Sequence, residues 1–90
     1  MIYINKIYLR TGQRNNVLMD PNAEILSVGP SSDDYSVSLY VAQDNSTTHQ
    51  ERCFEVIQTE QWIAEPSTAL FRGTIFIKDV AHHVFERLVL

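Results

Sequence analysis

The sequence has one cysteine, Cys53, and only three glycines, three prolines and one tryptophan. A lone cysteine cannot close an internal disulfide, nor can it supply a thiolate cage for zinc. The glycines, Gly12, Gly29 and Gly73, are isolated from one another, which excludes a Gly-rich phosphate loop. Apolar runs stop at three or four residues. A bilayer span needs about 20, so no membrane segment is expected. The start, Met1 to Arg10, lacks a basic stretch followed by an unbroken apolar run, so no signal peptide is expected either. Basic charge is also scarce. Seven Lys plus Arg stand against eleven Asp plus Glu, a net charge of −4. That argues against a partner bound through a nucleic-acid backbone, and it falls short of the acidity of a DNA mimic.

What is present is an ordinary globular balance, 44% hydrophobic and 20% charged over 90 residues, enough for a single domain over 1–90. The periodicity is two almost everywhere. Tyr35 to Ala42 sets Tyr35, Val37, Leu39 and Val41 on one face and Ser36 and Ser38 on the other. Ile2 to Leu9, Ala23 to Gly29 and a short Val17–Met19 piece are further strand candidates. Glu51 to Thr59 alternates Arg52, Phe54 and Val56 against Cys53, Glu55 and Ile57. Leu70 to Lys78 alternates Phe71, Ile75 and Ile77 against Arg72, Thr74 and Phe76, with Gly73 marking a bulge or a close approach. Lys78-Asp79 reads as a tight hairpin into Val80–Leu90, where Val80, Val84 and Leu88 also fit a helix face. Polar segments rich in turn residues separate these elements. The pattern predicts an all-β domain, a small antiparallel sandwich or open barrel of about six to seven short strands, with the last segment strand in preference to helix.

Few constellations carry chemistry. Cys53 with His49, His82 and His83 is the one set resembling a metal or nucleophile site. Cys53 sits beside Phe54 within a strand, where it reads as a small buried hydrophobe, and adjacent His82 and His83 point to opposite faces. No metal or cofactor is expected. Asp33, Asp34, Asp44 and Glu51 lie near loops and could pair as general acid and base, but Asp in turns forms the turn itself. Trp62 occupies a polar loop. Its first reading is a plug folded over the end of the core, its second an exposed anchor for a partner. Arg10, Arg52 and Arg72 could face an anionic ligand, although strand arginines commonly pair across strands with Glu, here Glu55 or Glu86. Trp62, Asp33, Asp34, Asp44, Arg52 and Arg72 are therefore the binding candidates, and no catalytic residue is assigned.

Three short signatures run in order along the chain. They are Ala23–Val28 (AEILSV) followed by Leu39–Val41, then Arg52–Ile57 (RCFEVI) leading into Thr59, then Phe71–Thr74 (FRGT) followed by His83–Glu86 (HVFE). Over roughly residues 20–86 the chain resembles an uncharacterised family of small phage and prophage proteins. Where that family tends to carry Gly-His after its Thr, this chain has Glu60-Gln61, so no role for that histidine carries over. Physically the signatures read as fold: Gly73 allows close approach, Thr74 suits a strand, and His83 with Glu86 would close a polar contact at a sheet end. The resemblance implies an accessory protein of a virus or mobile element, working in the host cytoplasm. The expected function is non-enzymatic binding that blocks a host protein, for example of an antiviral defence system, with self-association through strand edges. The alternatives are a protein sequestering a nucleotide or other small ligand, with Trp62 or Tyr40 beside the arginines, and a minor virion or assembly component.

Overall fold

The computed structural model describes residues 1–88. Seven strands run β1 (Ile2–Arg10), β2 (Arg14–Met19), β3 (Glu24–Pro30), β4 (Ser36–Asp44), β5 (Gln50–Gln58), β6 (Ala69–Ile77) and β7 (Val80–Arg87). A single 3-10 turn, Pro66–Thr68, precedes β6. The strands form two antiparallel sheets, one ordered β1-β4-β3 and the other β2-β5-β7-β6. Of the sandwich and the open barrel that the periodicity allows, the all-β sandwich is what forms, and the final segment is a strand; positions 89 and 90 of that segment lie outside the described residues. Among the described residues no helix is long and apolar enough to cross a membrane.

The core comes from the period-two residues of both inner faces. Leu9, Val37, Leu39, Val41, Phe54, Val56 and Val84 are buried, with Met19 and Ile75 beside them. Burying each such side chain contributes about 1.5–3 kcal/mol before chain entropy is charged. Buried polar groups find partners. Gln43 Nε2 donates to Asn5 Oδ1 at 2.9 Å, and its Oε1 accepts the Asp20 N–H at 3.0 Å. Asp20 Oδ2 in turn accepts the Asp44 N–H at 3.1 Å, pinning the β2–β3 turn to the end of β4.

Local departures from ideal pleating shape the surface. Lys78 and Asp79 both have positive φ, 47° and 64°, as a two-residue hairpin between twisted strands requires. A register shift between Phe71 and Gly73 places an extra residue in β6. Phe71 is paired with outward-facing Phe85, while Ile75 and Ile77 face the core, so the single face expected for all three splits at this bulge. A Cβ on Gly73 would stand 2.6 Å from Val28 Cγ2 on β3, so the close approach anticipated there is real and closes one side of the sandwich. Tyr35, expected on the core face of β4, precedes the strand and is exposed. Its N–H is tied instead to Asp33 Oδ1 at 2.8 Å, which turns the chain before the pleat begins. Cys53 is half-buried on the outward face of β5 rather than in the core.

Candidate functional site

Strand order dictates the most distinctive surface. Because β7 lies between β5 and β6, the β5–β6 connection must pass across β7. Residues 59–68 do so as a strap tied at both ends. At one end the Thr59 N–H donates to the Ala81 carbonyl at 2.9 Å. Beside it, Thr59 Oγ1 meets His83 Nε2 at 2.7 Å, and the other ring nitrogen meets Thr74 Oγ1 at 2.9 Å. At the far end Arg87 Nη1 donates to the Glu65 carbonyl at 3.1 Å and the Leu88 N–H to the Thr68 carbonyl at 2.8 Å. Glu60 and Glu65 both take positive φ, 74° and 49°, which bends the strap on either side of Trp62.

Trp62 does not plug the core. Its side chain is 98% exposed, since the bends at Glu60 and Glu65 carry the strap over β7 and leave the indole pointing to solvent. Phe71 and Phe76, on the outward face of neighbouring β6, are 56% and 69% exposed.

A second constellation lies on the inner side of the four-stranded sheet. Glu86 on β7 sits opposite Phe54 on β5 and Leu70 on β6, within reach of a guanidinium from each flank. Arg52 Nε and Nη2 grip both its carboxylate oxygens at 2.7 and 2.8 Å, and Arg52 Nη1 donates to the Ala23 carbonyl at 2.8 Å. Arg72, carried inward by the β6 bulge, reaches Glu86 Oε1 at 2.7 Å. Burial raises the Glu86 pKa, but the hydrogen bonds from Arg52 and then Arg72 outweigh it, so the carboxyl titrates below its ordinary value. An outward counterpart joins Arg87 Nε to Glu55 Oε1 at 2.8 Å, with Arg14 at 3.8 Å. The groove beside Arg52 and Glu86, bordered by Pro21, Glu51 and Leu88, measures about 230 Å³. Typical ligand pockets begin near 300 Å³.

The remaining candidates are dispersed. Asp34 pairs with Lys78 at 2.8 Å at one end of the sandwich, next to Asp33 in its turn. Asp44 lies at the other end of β4, where it accepts the Ser46 N–H and faces the N-terminal amine at 3.5 Å. These carboxylates do not converge, and Glu51 is exposed on β5. His83 and Glu86 do not touch as expected. They lie on opposite faces of β7, His83 between two threonines and Glu86 between two arginines. Among the described residues no cluster of His, Cys, Asp or Glu could hold a metal. Asn15 and Asp20 carry no distinguishing signal in the sequence, because an Asn or Asp near a turn looks the same whether or not it reaches a distant strand.

The model of a domain family of unknown function (DUF7352) matches residues 1–89. The chain belongs to this family. No curated protein and no solved structure matches it. In this DUF7352 domain the strap and the Arg–Glu–Arg cluster both go beyond what pleating and core formation by themselves require.

Proposed function

We propose that this DUF7352 domain is a non-enzymatic binding protein that engages another protein through the strap around Trp62. The observation carrying the reading is the 98% exposure of the one tryptophan on a segment held at both ends. An indole left in water costs apolar hydration, while a pinned backbone lowers the entropy lost on docking; Trp is also the residue most enriched at binding hot spots. Phe71 and Phe76 are exposed on the outward face of β6, the same side of the sheet that the strap crosses, and Glu60 and Glu65 add charge at the bends of the strap. The resemblance to phage proteins extends the proposal to a role: an accessory protein that sterically blocks a host protein, such as a component of antiviral defence, in the host cytoplasm. Ligand sequestration has weaker support, because the Arg52 and Arg72 guanidiniums are already engaged by Glu86.

The test is affinity capture from bacterial lysate with the native chain and with Trp62→Ala in parallel. The expected result is a stoichiometric protein retained by the native chain and lost with the variant, at unchanged melting temperature. Equal retention by both would remove the strap from the binding surface.

A further inference from the structure

The two sheets leave β1, β3, β2 and β6 as edge strands, and exposed edges normally carry devices against unwanted pairing. Three of them do. The register of β3 is broken between Ile25 and Ser27, and the strand ends in Gly29-Pro30. A bulge interrupts β6, which also lies against β3 where Gly73 meets Val28. The six residues of β2 make it the shortest strand. By contrast β1 has nine residues, no proline, no bulge and an unbroken register with β4 from Ile2↔Asp44 to Arg10↔Ser36. Its outward face also exposes Ile2, Ile4 and Tyr8 at 62%, 64% and 57%.

Which backbone groups of β1 are free follows from one side chain. The Asn15 carboxamide accepts from the Arg10 N–H at 2.8 Å and donates to the Arg10 carbonyl at 3.1 Å. Thr11 N–H, one residue on, donates to Tyr35 on the β4 side. Successive residues of an antiparallel strand address opposite neighbours. Arg10 therefore faces away from β4, as do Tyr8, Lys6, Ile4 and Ile2; Arg10 is satisfied by Asn15, and the other four form an open row.

We propose that this row is the seam of a homodimer, in which a second copy lays its own β1 antiparallel along it and joins the two three-stranded sheets. The occupant follows from self-complementarity. With Asn5 on the two-fold axis, Ile2 stands opposite Tyr8 of the second copy and Ile4 opposite Lys6, so all four open residues pair, each pair exchanging two backbone bonds. Sliding by two residues in either direction leaves three such pairs. One slide also sets Lys6 against Lys6, a like-charge pair. Inner faces stay aligned in the favoured register, and the apolar stem of Lys6 packs on Ile4 while its amine remains in water.

Sedimentation or light scattering on the native chain should give twice the single-chain mass of 10.3 kDa. In a Cys53→Ser background, Asn5→Cys should close an interchain disulfide on mild oxidation, because residues facing across the axis lie about 4.5 Å apart at Cα, within disulfide reach. Lys6→Cys should not. Ile4→Pro removes an N–H that points away from β4, so a folded monomer is expected. If that variant does not fold, Ile4→Lys, which sets two amines face to face, should also abolish the dimer. A single-chain mass for the native protein at high concentration overturns the proposal, as does equal crosslinking by Lys6→Cys or a dimer that survives Ile4→Lys.

Discussion

Gly73 on β6 lies directly against Val28 on β3, so close that a Cβ would come within 2.6 Å of the valine methyl. This contact holds together the edges of two sheets that share no backbone ladder there. Gly73→Ala should therefore destabilise the domain by about 1–3 kcal/mol, the usual cost of overpacking. Val28→Ala in the same chain should recover part of that loss, since the two positions share one contact. Urea unfolding of the four chains in this cycle measures it; strictly additive effects would show that the contact does not limit packing.

The Arg52–Glu86–Arg72 cluster should be fragile to loss of its centre. Glu86→Ala leaves two guanidiniums facing each other at positions 13% and 26% exposed, and it should cost about 2–3 kcal/mol of stability. Replacing all three with apolar residues of similar volume should cost far less, because no charge is then stranded. Denaturant midpoints compare the two. A triple variant weaker than Glu86→Ala would show that the ion cluster itself stabilises the fold.

Acid should weaken the fold through carboxylates held ionised. The Glu86 pKa is lowered, with burial opposing and Arg52 and Arg72 prevailing, and the Asp20 pKa is lowered chiefly by the Asn22 and Asp44 backbone N–H groups. A folded pKa below the unfolded one means the unfolded chain binds protons first, so stability is full above the ordinary values of 4.5 and 3.8 and falls as pH drops through them. Chemical denaturation across that range should show the decline, and Asp20→Asn should flatten it at the cost of lower stability near neutrality. Stability that rises on acidification would contradict the sign.

Trp62 provides its own spectroscopic check as the sole tryptophan. Its emission in the folded protein should already be that of an indole in water, be fully accessible to a soluble quencher, and change little on unfolding. Trp62→Ala should shift stability by no more than about 0.5 kcal/mol, as for other exposed sites. A blue-shifted native emission would place the ring under cover.

The cluster and the strap also show where local pattern stops informing. Period-two alternation carries the all-β class and sets Val37, Leu39 and Val41 of β4, and Phe54 and Val56 of β5, on shared faces, because each residue's side of a pleat depends only on its neighbours along the chain. It misplaces Tyr35, which precedes the pleat, and Cys53, read as buried, faces outward. A glycine inside a strand pattern marks a bulge or a close approach, and Gly73 sits at both, while a strand arginine calls for a cross-strand Glu, which Arg52 and Arg72 find in Glu86. Strand order was not legible. Only the placement of β7 between β5 and β6 forces residues 59–68 across a sheet face and lifts Trp62 into solvent, where the loop's composition suggested a plug. The β6 bulge likewise turned Phe71 outward and brought Arg72 to Glu86, while His83 found threonines on the opposite face. Alternation along one strand is set by bonds between adjacent residues, and the amino-acid sequence determines it directly. Which strands become neighbours is set by closure of two sheets around one core, a balance among residues far apart in the chain, and the tertiary structure alone decides it.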